Sequence, residues 1–271
     1  MRPLAASAPA LAALAIIAGC ATGPSAVDHA RYAAIVGAPD RGPADRNNDQ
    51  RRKPVETLAF IAPRPGMVAL DLSAGRGYTS ELLARAVAPD GKVYAQSAPR
   101  GPARTPPAQP EGAAAPAAPA TVAAPMATLA ERVRNPALAA VLAPVMRPFE
   151  DPVPPEAQGR LDLVTLMFNY HDLGHLGVDR ARMNAAVFAA LKPGGSYVIA
   201  DHAGRPGTGI SESGTLHRVE EAFVVNEVEA AGFRLAARGD FLRNPADPRD
   251  RNTPEPPMPK DEFVLRFVKP R

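Results

Sequence analysis

Two groups of residues in this 271-residue chain have the types and spacing to do chemistry. The first is Asp71, followed closely by Ser73, Gly75 and Gly77. Glycines carry no Cβ, so their backbone can come close to a ligand, and a carboxylate beside them could receive a ligand's ammonium group. The second is Asn169-Tyr170-His171-Asp172, with His175, Asp201-His202 and His217-Arg218 further along. Histidine side chains ordinarily titrate near neutral pH, so His171 is a candidate proton acceptor whose ring Asp172 could orient; the blander alternative is a loop histidine held by a structural hydrogen bond. Imidazoles and carboxylates at His171, Asp172, His175, Asp201 and His202 would suit zinc, iron or manganese. Gly174 and Gly177 argue against a helix presenting both His171 and His175, and the spacing fixes no ligand geometry, so no metal is assigned. His217-Arg218 could recognise an anionic substrate or simply begin a solvated helix. Arg182, Arg205, Arg234 and Arg243 form no local cluster and read as solvated. His29 has no role that its neighbours suggest.

Alternating strands and helices must position these residues. Pro54 to Phe60 reads as a short helix, Met67 to Leu72 as a strand covered on both faces, and Thr79 to Val87 as the next helix. Lys92 to Ala95 is a second strand. Thr128 to Arg134 is a possible helix and Ala139 to Val145 a weak, proline-broken strand. Leu161 to Phe168 is a clear strand, Arg180 to Leu191 a helix, and Tyr197 to Ala200 a strand entered through Lys192-Pro193-Gly194-Gly195. Glu220 to Ala231 is helical, and Phe233 to Ala237 and Glu262 to Val268 close the chain as two strands with no helix between them. This order predicts an α/β, Rossmann-like, open and mostly parallel sheet with an antiparallel C-terminal edge hairpin and helices on both faces. Ligands of such sheets lie outside the carboxyl ends of the strands, so functional residues should follow strands.

Composition sets bounds. Apolar residues make up 46%, enough for a core, but 32 prolines, no tryptophan and 5% aromatics leave parts that cannot pack. Ala98 to Pro125 is almost all Ala, Pro and Gly, and reads as a disordered insert of about 98–125. The net charge of +3 is scattered rather than gathered into a basic stripe, which gives nucleic-acid binding little support. One cysteine, Cys20, excludes an internal disulfide and a cysteine zinc cage. Met1-Arg2, the apolar run Leu4 to Ile17 and Gly19-Cys20 have the order of a secretory signal peptide. Ile17-Ala18-Gly19-Cys20 resembles the bacterial lipobox, which implies lipidation at Cys20 after removal of residues 1–19. The expectation is then a lipoprotein of the bacterial envelope, at the outer membrane facing the periplasm, with 20–49 a tether and N-terminal segment and 50–271 the folded domain. The alternative is a short buried helix with a core thiol.

Val68-Ala69-Leu70-Asp71-Leu72-Ser73-Ala74-Gly75-Arg76-Gly77-Tyr78-Thr79 resembles the first motif of class I S-adenosylmethionine-dependent methyltransferases. Leu191-Lys192-Pro193-Gly194-Gly195 before a strand, Asn169 to Asp172 after one, and Ala230-Ala231-Gly232-Phe233 before the closing hairpin are similar to that family along roughly residues 50–268. Asn169-Tyr170-His171-Asp172, Asp201-His202, Thr215-Leu216-His217-Arg218 and Arg243-Asn244-Pro245 resemble a group of predicted, often exported bacterial methyltransferases. Ser73 stands where the family's first glycine is usual, and Gln96-Ser97 where most relatives carry a ribose-binding carboxylate. The resemblance implies S-adenosyl-L-methionine held by Asp71, Ser73, Gly75, Gly77, Gln96, Ser97 and Asn169, with His171 and Asp172 catalytic and a small-molecule methyl acceptor. A noncatalytic lipid-anchored envelope module that keeps the fold and binds another ligand is the alternative. A nicotinamide fingerprint fits worse, because Ser80 stands where its third glycine is needed.

Overall fold

The structure, a computed structural model, describes residues 26–99, 126–254 and 257–271. The signal peptide, Cys20 and all of the Ala/Pro-rich insert except Ala98 and Pro99 lie outside the described residues.

Seven strands form one sheet: β1 (Val68–Leu72), β2 (Lys92–Ser97), β3 (Leu142–Met146), β4 (Leu161–Met167), β5 (Leu191–His202), β6 (Arg234–Gly239) and β7 (Glu262–Val268). Their spatial order is β3-β2-β1-β4-β5-β7-β6. Neighbours from β3 through β5 pair in parallel, whereas β7 runs antiparallel to both β5 and β6. The expected sheet and closing hairpin are therefore present. The apolar runs of the central strands are covered on both faces, as parallel strands require. One core joins Leu70, Val164, Leu166, Tyr197 and Ile199 to Met183, Val187, Val224 and Val228. The other joins Ala69, Val93, Val198 and Ala200 to Tyr32, Leu58, Leu82 and Leu83.

The helices α1 (Ala26–Val36), α3 (Pro54–Ile61) and α4 (Tyr78–Val87) contribute to the second core, and α2 (Pro43–Arg52) lies between α1 and α3 in the chain. Residues 26–49 are thus mainly two packed helices rather than a tether. Tyr32 is buried and its hydroxyl donates to the Pro63 carbonyl at 3.0 Å, while Arg41 grips Asp49 with two hydrogen bonds of 2.8 Å. α2 is polar along its whole length, Pro-Ala-Asp-Arg-Asn-Asn-Asp-Gln-Arg-Arg, so no apolar periodicity announces it. Ion pairs made to distant residues hold it instead.

After the insert come two one-turn helices, α5 (Leu129–Arg132), capped by Thr128 and Glu131, and α6 (Pro136–Ala139). The weak strand lies slightly later than expected and at the sheet edge, where Pro144 is tolerated. α7 (Asp172–His175), α8 (Arg180–Ala190) and α9 (Glu221–Ala230) complete the chain. The helix expected to reach Leu191 ends at Ala190, because β5 begins there and runs through Lys192-Pro193-Gly194-Gly195 with an irregularity in its pairing to β4.

Candidate functional site

The carboxyl ends of β1, β2, β4 and β5 open toward the same side, and the loops leaving them build the site. Beyond β1, Ser73 adopts a left-handed backbone at φ 53°. Gln96, on the last turn of β2, fixes that bend: its Oε1 accepts from the Ser73 N–H at 2.9 Å, its carbonyl accepts from the Ala74 N–H at 2.8 Å, and its Nε2 donates to the Arg147 carbonyl at 2.6 Å. The side chain is fully buried and spent on the backbone. Gln96 is therefore the brace of the turn and not a ligand contact, which leaves half-buried Ser97 as the side chain facing outward at this strand end.

The two glycines divide the work differently from expectation. Gly75 is exposed at φ +55°, and a Cβ there would meet only the Ser73 carbonyl at 3.9 Å, so its bare face is open. At Gly77 a Cβ would lie 2.8 Å from Leu129 Cδ1 and 3.0 Å from Arg132 Cδ, so protein fills that face. Arg132 is buried there, bonded to both oxygens of Asp45, to Glu81 and to the Arg76 carbonyl. The absence of a Cβ at Gly77 admits α5 rather than a ligand.

Asp71 is 2% exposed and faces inward. Its Oδ2 accepts from the Ser80 hydroxyl at 2.5 Å and its Oδ1 from the Thr165 hydroxyl at 2.7 Å. Burial pushes its carboxyl up to about 6 even though those hydrogen bonds and the nearby Arg52 charge oppose the rise. The expected contact with a ligand ammonium is not made from this position. Asp71 instead ties β1, β4 and the first turn of α4 together beneath the Ser73–Gly77 bend.

Arg52 was not singled out in the sequence. Its guanidinium stacks 3.8 Å from the Phe168 ring centroid, its Nε is buried without a partner, and no carboxylate of the described residues forms a salt bridge with it. Burial and the adjacent Arg51 lower its pKa to about 10, so it stays charged at neutral pH. Phe168, at φ 61°, is turned under it by the end of β4. No local signal marks Arg52, because it ends a wholly polar helix.

From Ser73 a chain of hydrogen bonds crosses to the second residue group. The Ser73 hydroxyl donates to Asn169 Oδ1 at 2.5 Å, Asn169 Nδ2 donates to Asp172 Oδ2 at 2.7 Å, and Asp172 Oδ1 lies 3.1 Å from both His171 Nε2 and His217 Nδ1 and 3.9 Å from His175 Nδ1. His171, His175, His202 and His217 thus converge, with His171 5.3 Å from the His202 ring and 5.6 Å from the His217 ring. His171 stays outside the helical turn as its N-cap, so this helix does not present both His171 and His175. α7 forms, and it presents Asp172 and His175 together, because Ile210 and Ser213 press against Gly174, where a Cβ would lie 2.7 to 2.9 Å from them. Ser213 accepts from the His175 N–H and donates to the His171 carbonyl.

His171 is buried and its Nδ1 lies 2.6 Å from Asp201 Oδ1, while its N–H donates to Asp201 Oδ2. Burial works against its charge, but hydrogen bonds to Asp172 and Asp201 outweigh it and push the imidazole up to about 9. His171 is then an imidazolium at neutral pH, and it cannot begin as a proton acceptor there. Asp201, rather than Asp172 alone, orients it. Asp172 resists its own burial through His171 and His217 and stays below the usual carboxylate range. His202 is neutral, since burial drives it down to about 3; its Nδ1 is 3.0 Å from Glu262 Oε1 but off the hydrogen-bond direction. The exposed members are His175 and His217, with side chains 36% and 39% accessible.

Arg218 recognises no substrate from its place. It is fully buried and paired with Asp247 at 2.8 Å and with the Ala203 carbonyl at 3.0 Å, which anchors His217 beside it at φ 51°. Arg205 and Arg243 also pair with carboxylates, Glu212 for the first and Glu221 and Asp261 for the second.

The chain matches no family model and no curated protein. Among solved structures it is similar to a SAM-dependent methyltransferase from Aquifex aeolicus, at 18% identity over 88% of this chain and 98% of that one, with a TM-score of 0.53. It is also similar to a proposed sarcosine dimethylglycine methyltransferase from Galdieria sulphuraria (12% identity, 90% and 98% covered, TM-score 0.52) and to geranyl diphosphate methyltransferase solved with GPP and sinefungin (12%, 80% and 78%, 0.51). The chain has the class I S-adenosylmethionine-dependent methyltransferase fold, as the resemblance implies. At these identities the likeness defines the fold alone.

Proposed function

We propose that this protein is an S-adenosylmethionine-dependent methyltransferase acting on a small molecule. The observation that carries the reading is the open left-handed bend at Ser73–Gly75, joined by hydrogen bonds through Asn169 to the Asp172 cluster on the carboxyl edge of the sheet. Residues fit the cofactor at the bend, where a Cβ at Gly75 would occupy free space. Backbone from Ser73 to Arg76 would hold it, with Ser97 left for a ribose hydroxyl and the charged Arg52 for a carboxylate. A neutral hydroxyl grips a ribose less strongly than a carboxylate does, so affinity should be modest. The cofactor supplies a methyl group on a sulfonium sulfur, and the protein's task is then alignment of acceptor and methyl. Asn169 and Asp172 would orient the acceptor, and the exposed imidazoles of His175 and His217 stand where an acceptor proton would leave.

The scattered charge supports a small acceptor over nucleic acid. The lipobox-like Ile17 to Cys20 supports attachment to the envelope through lipidated Cys20, which metabolic labelling with palmitate tests. Titration calorimetry of the chain from residue 26 onward with S-adenosylmethionine tests the activity class. One-to-one binding is expected, and no heat at millimolar cofactor in folded protein would refute the enzyme reading in favour of a noncatalytic module.

A further inference from the structure

The Asp172-centred cluster has the arrangement of a metal seat. One ligand atom from each of His171, Asp172 and His217 lies within 4.8 Å of the others, and Asp172 Oδ1 is 3.1 Å from both His171 Nε2 and His217 Nδ1. Four-coordinate metal–ligand bonds of about 2.0 to 2.1 Å place neighbouring ligand atoms roughly 3.3 Å apart, so closing the set requires only a modest inward turn of His217. His175 Nδ1, 3.9 Å from the same Asp172 oxygen, stands beside the trio on the exposed side.

Three features distinguish this cluster from an incidental ionic network. First, His171 turns its other nitrogen onto Asp201, which is itself fully buried and fixed by the backbone N–H groups of His171 and His202. A carboxylate behind the far nitrogen is the support that metal-binding histidines ordinarily have, since it fixes ring orientation and raises ligand basicity. Second, His217 is held at φ 51°, a conformation that costs a non-glycine residue energy, by the buried Arg218–Asp247 pair. Third, the trio is buried at His171 and open at His217, which leaves room for a further ligand from solvent.

We propose that His171, Asp172 and His217 bind a divalent first-row transition ion, with zinc the best match, in an open site at the carboxyl edge of β4 and β5. Two imidazoles and one carboxylate favour such ions over magnesium or calcium, which prefer all-oxygen sets. Whether the ion binds does not depend on methyl transfer. What it would do rests on that reading: an ion with an open position binds an acceptor oxygen and eases loss of its proton.

The test uses untagged chain from residue 26 onward, stripped with chelator and titrated with ZnCl2 by calorimetry and with CoCl2 by visible absorption. One equivalent should bind, with the ligand-field bands of four-coordinate cobalt. His217→Ala, at a half-exposed side chain, should lose at least 100-fold in affinity and those bands while keeping its circular dichroism. Asp201→Asn should weaken binding about 10- to 100-fold. His29→Ala, on α1, should bind as the parent does. Absence of stoichiometric uptake by folded parent protein, or an unchanged cobalt spectrum in His217→Ala, overturns the proposal. Titrating S-adenosylmethionine into the same samples separates the two readings: cofactor bound without ion sinks the metal site alone, and ion bound without cofactor sinks methyl transfer alone.

Discussion

Replacing Asp71 by Asn should stabilise the protein at alkaline pH and destabilise it slightly in acid. The Asp71 carboxyl is 2% exposed, and its two oxygens accept the Ser80 and Thr165 hydroxyls, with the Ser80 N–H also directed at it. Its shift from 3.8 to about 6 means that the folded protein holds this proton more tightly than the unfolded chain does. The corresponding stability is complete below pH 3.8 and is lost as pH rises through 6, about 3 kcal/mol in all. Asn keeps the volume and never ionises, so it escapes this loss. Its amide must face one of the two hydroxyls, which then loses its acceptor, at a cost of about 1 kcal/mol. Urea unfolding followed by circular dichroism should therefore find Asp71→Asn about 2 kcal/mol more stable than the parent at pH 8, about equal to it near pH 4.5 and about 1 kcal/mol less stable at pH 3, with equal m-values. Cofactor affinity should change less than threefold, because Asp71 lies beneath the bend and does not line it. A variant less stable than the parent at pH 8, or a gap that ignores pH, would show that burial does not control this carboxyl.

Two further predictions follow from neighbouring residues. Gly75→Ala should cost about 1 kcal/mol through its left-handed backbone yet lower S-adenosylmethionine affinity at least tenfold, whereas Gly77→Ala, forced against Leu129 and Arg132, should cost about 3 kcal/mol in thermal unfolding. Equal stability losses would contradict the division of labour between these glycines. For metal-free protein, the stability that His171 contributes should be complete below pH 6.5 and fall by about 3 kcal/mol as pH rises through 9, measured as the difference between parent and His171→Gln; a flat difference from pH 7 to 10 would remove the imidazolium.

Local patterns in the sequence determined most of the sheet. Val68–Leu72, Leu161–Met167 and Glu262–Val268 are short apolar runs bounded by turn residues, and each is a strand within a residue or two of where the pattern puts it. The glycine bend after β1 was equally legible, since residues without a Cβ adopt left-handed turns and admit close packing most readily, although Ser73 joins the turn with a Cβ. Less was legible of what each site residue does. The resemblance implies ligand contacts for Gln96 and Asp71, but whether a side chain faces a ligand or braces backbone depends on hydrogen-bond partners elsewhere, such as the Arg147 carbonyl and the Thr165 hydroxyl.

Only the tertiary structure decided the rest. α2 packs through contacts such as Arg132 with Asp45, 87 residues apart, for which a polar helix carries no periodic signature. Arg52 gained its place over Phe168 in the same way. The convergence of His171, His175, His202 and His217 arises because β4 pairs beside β5, so the loops leaving both strands meet at one edge. Sequence spacing records the order of residues along the chain, and strand order in the sheet sets which of them come within bonding distance.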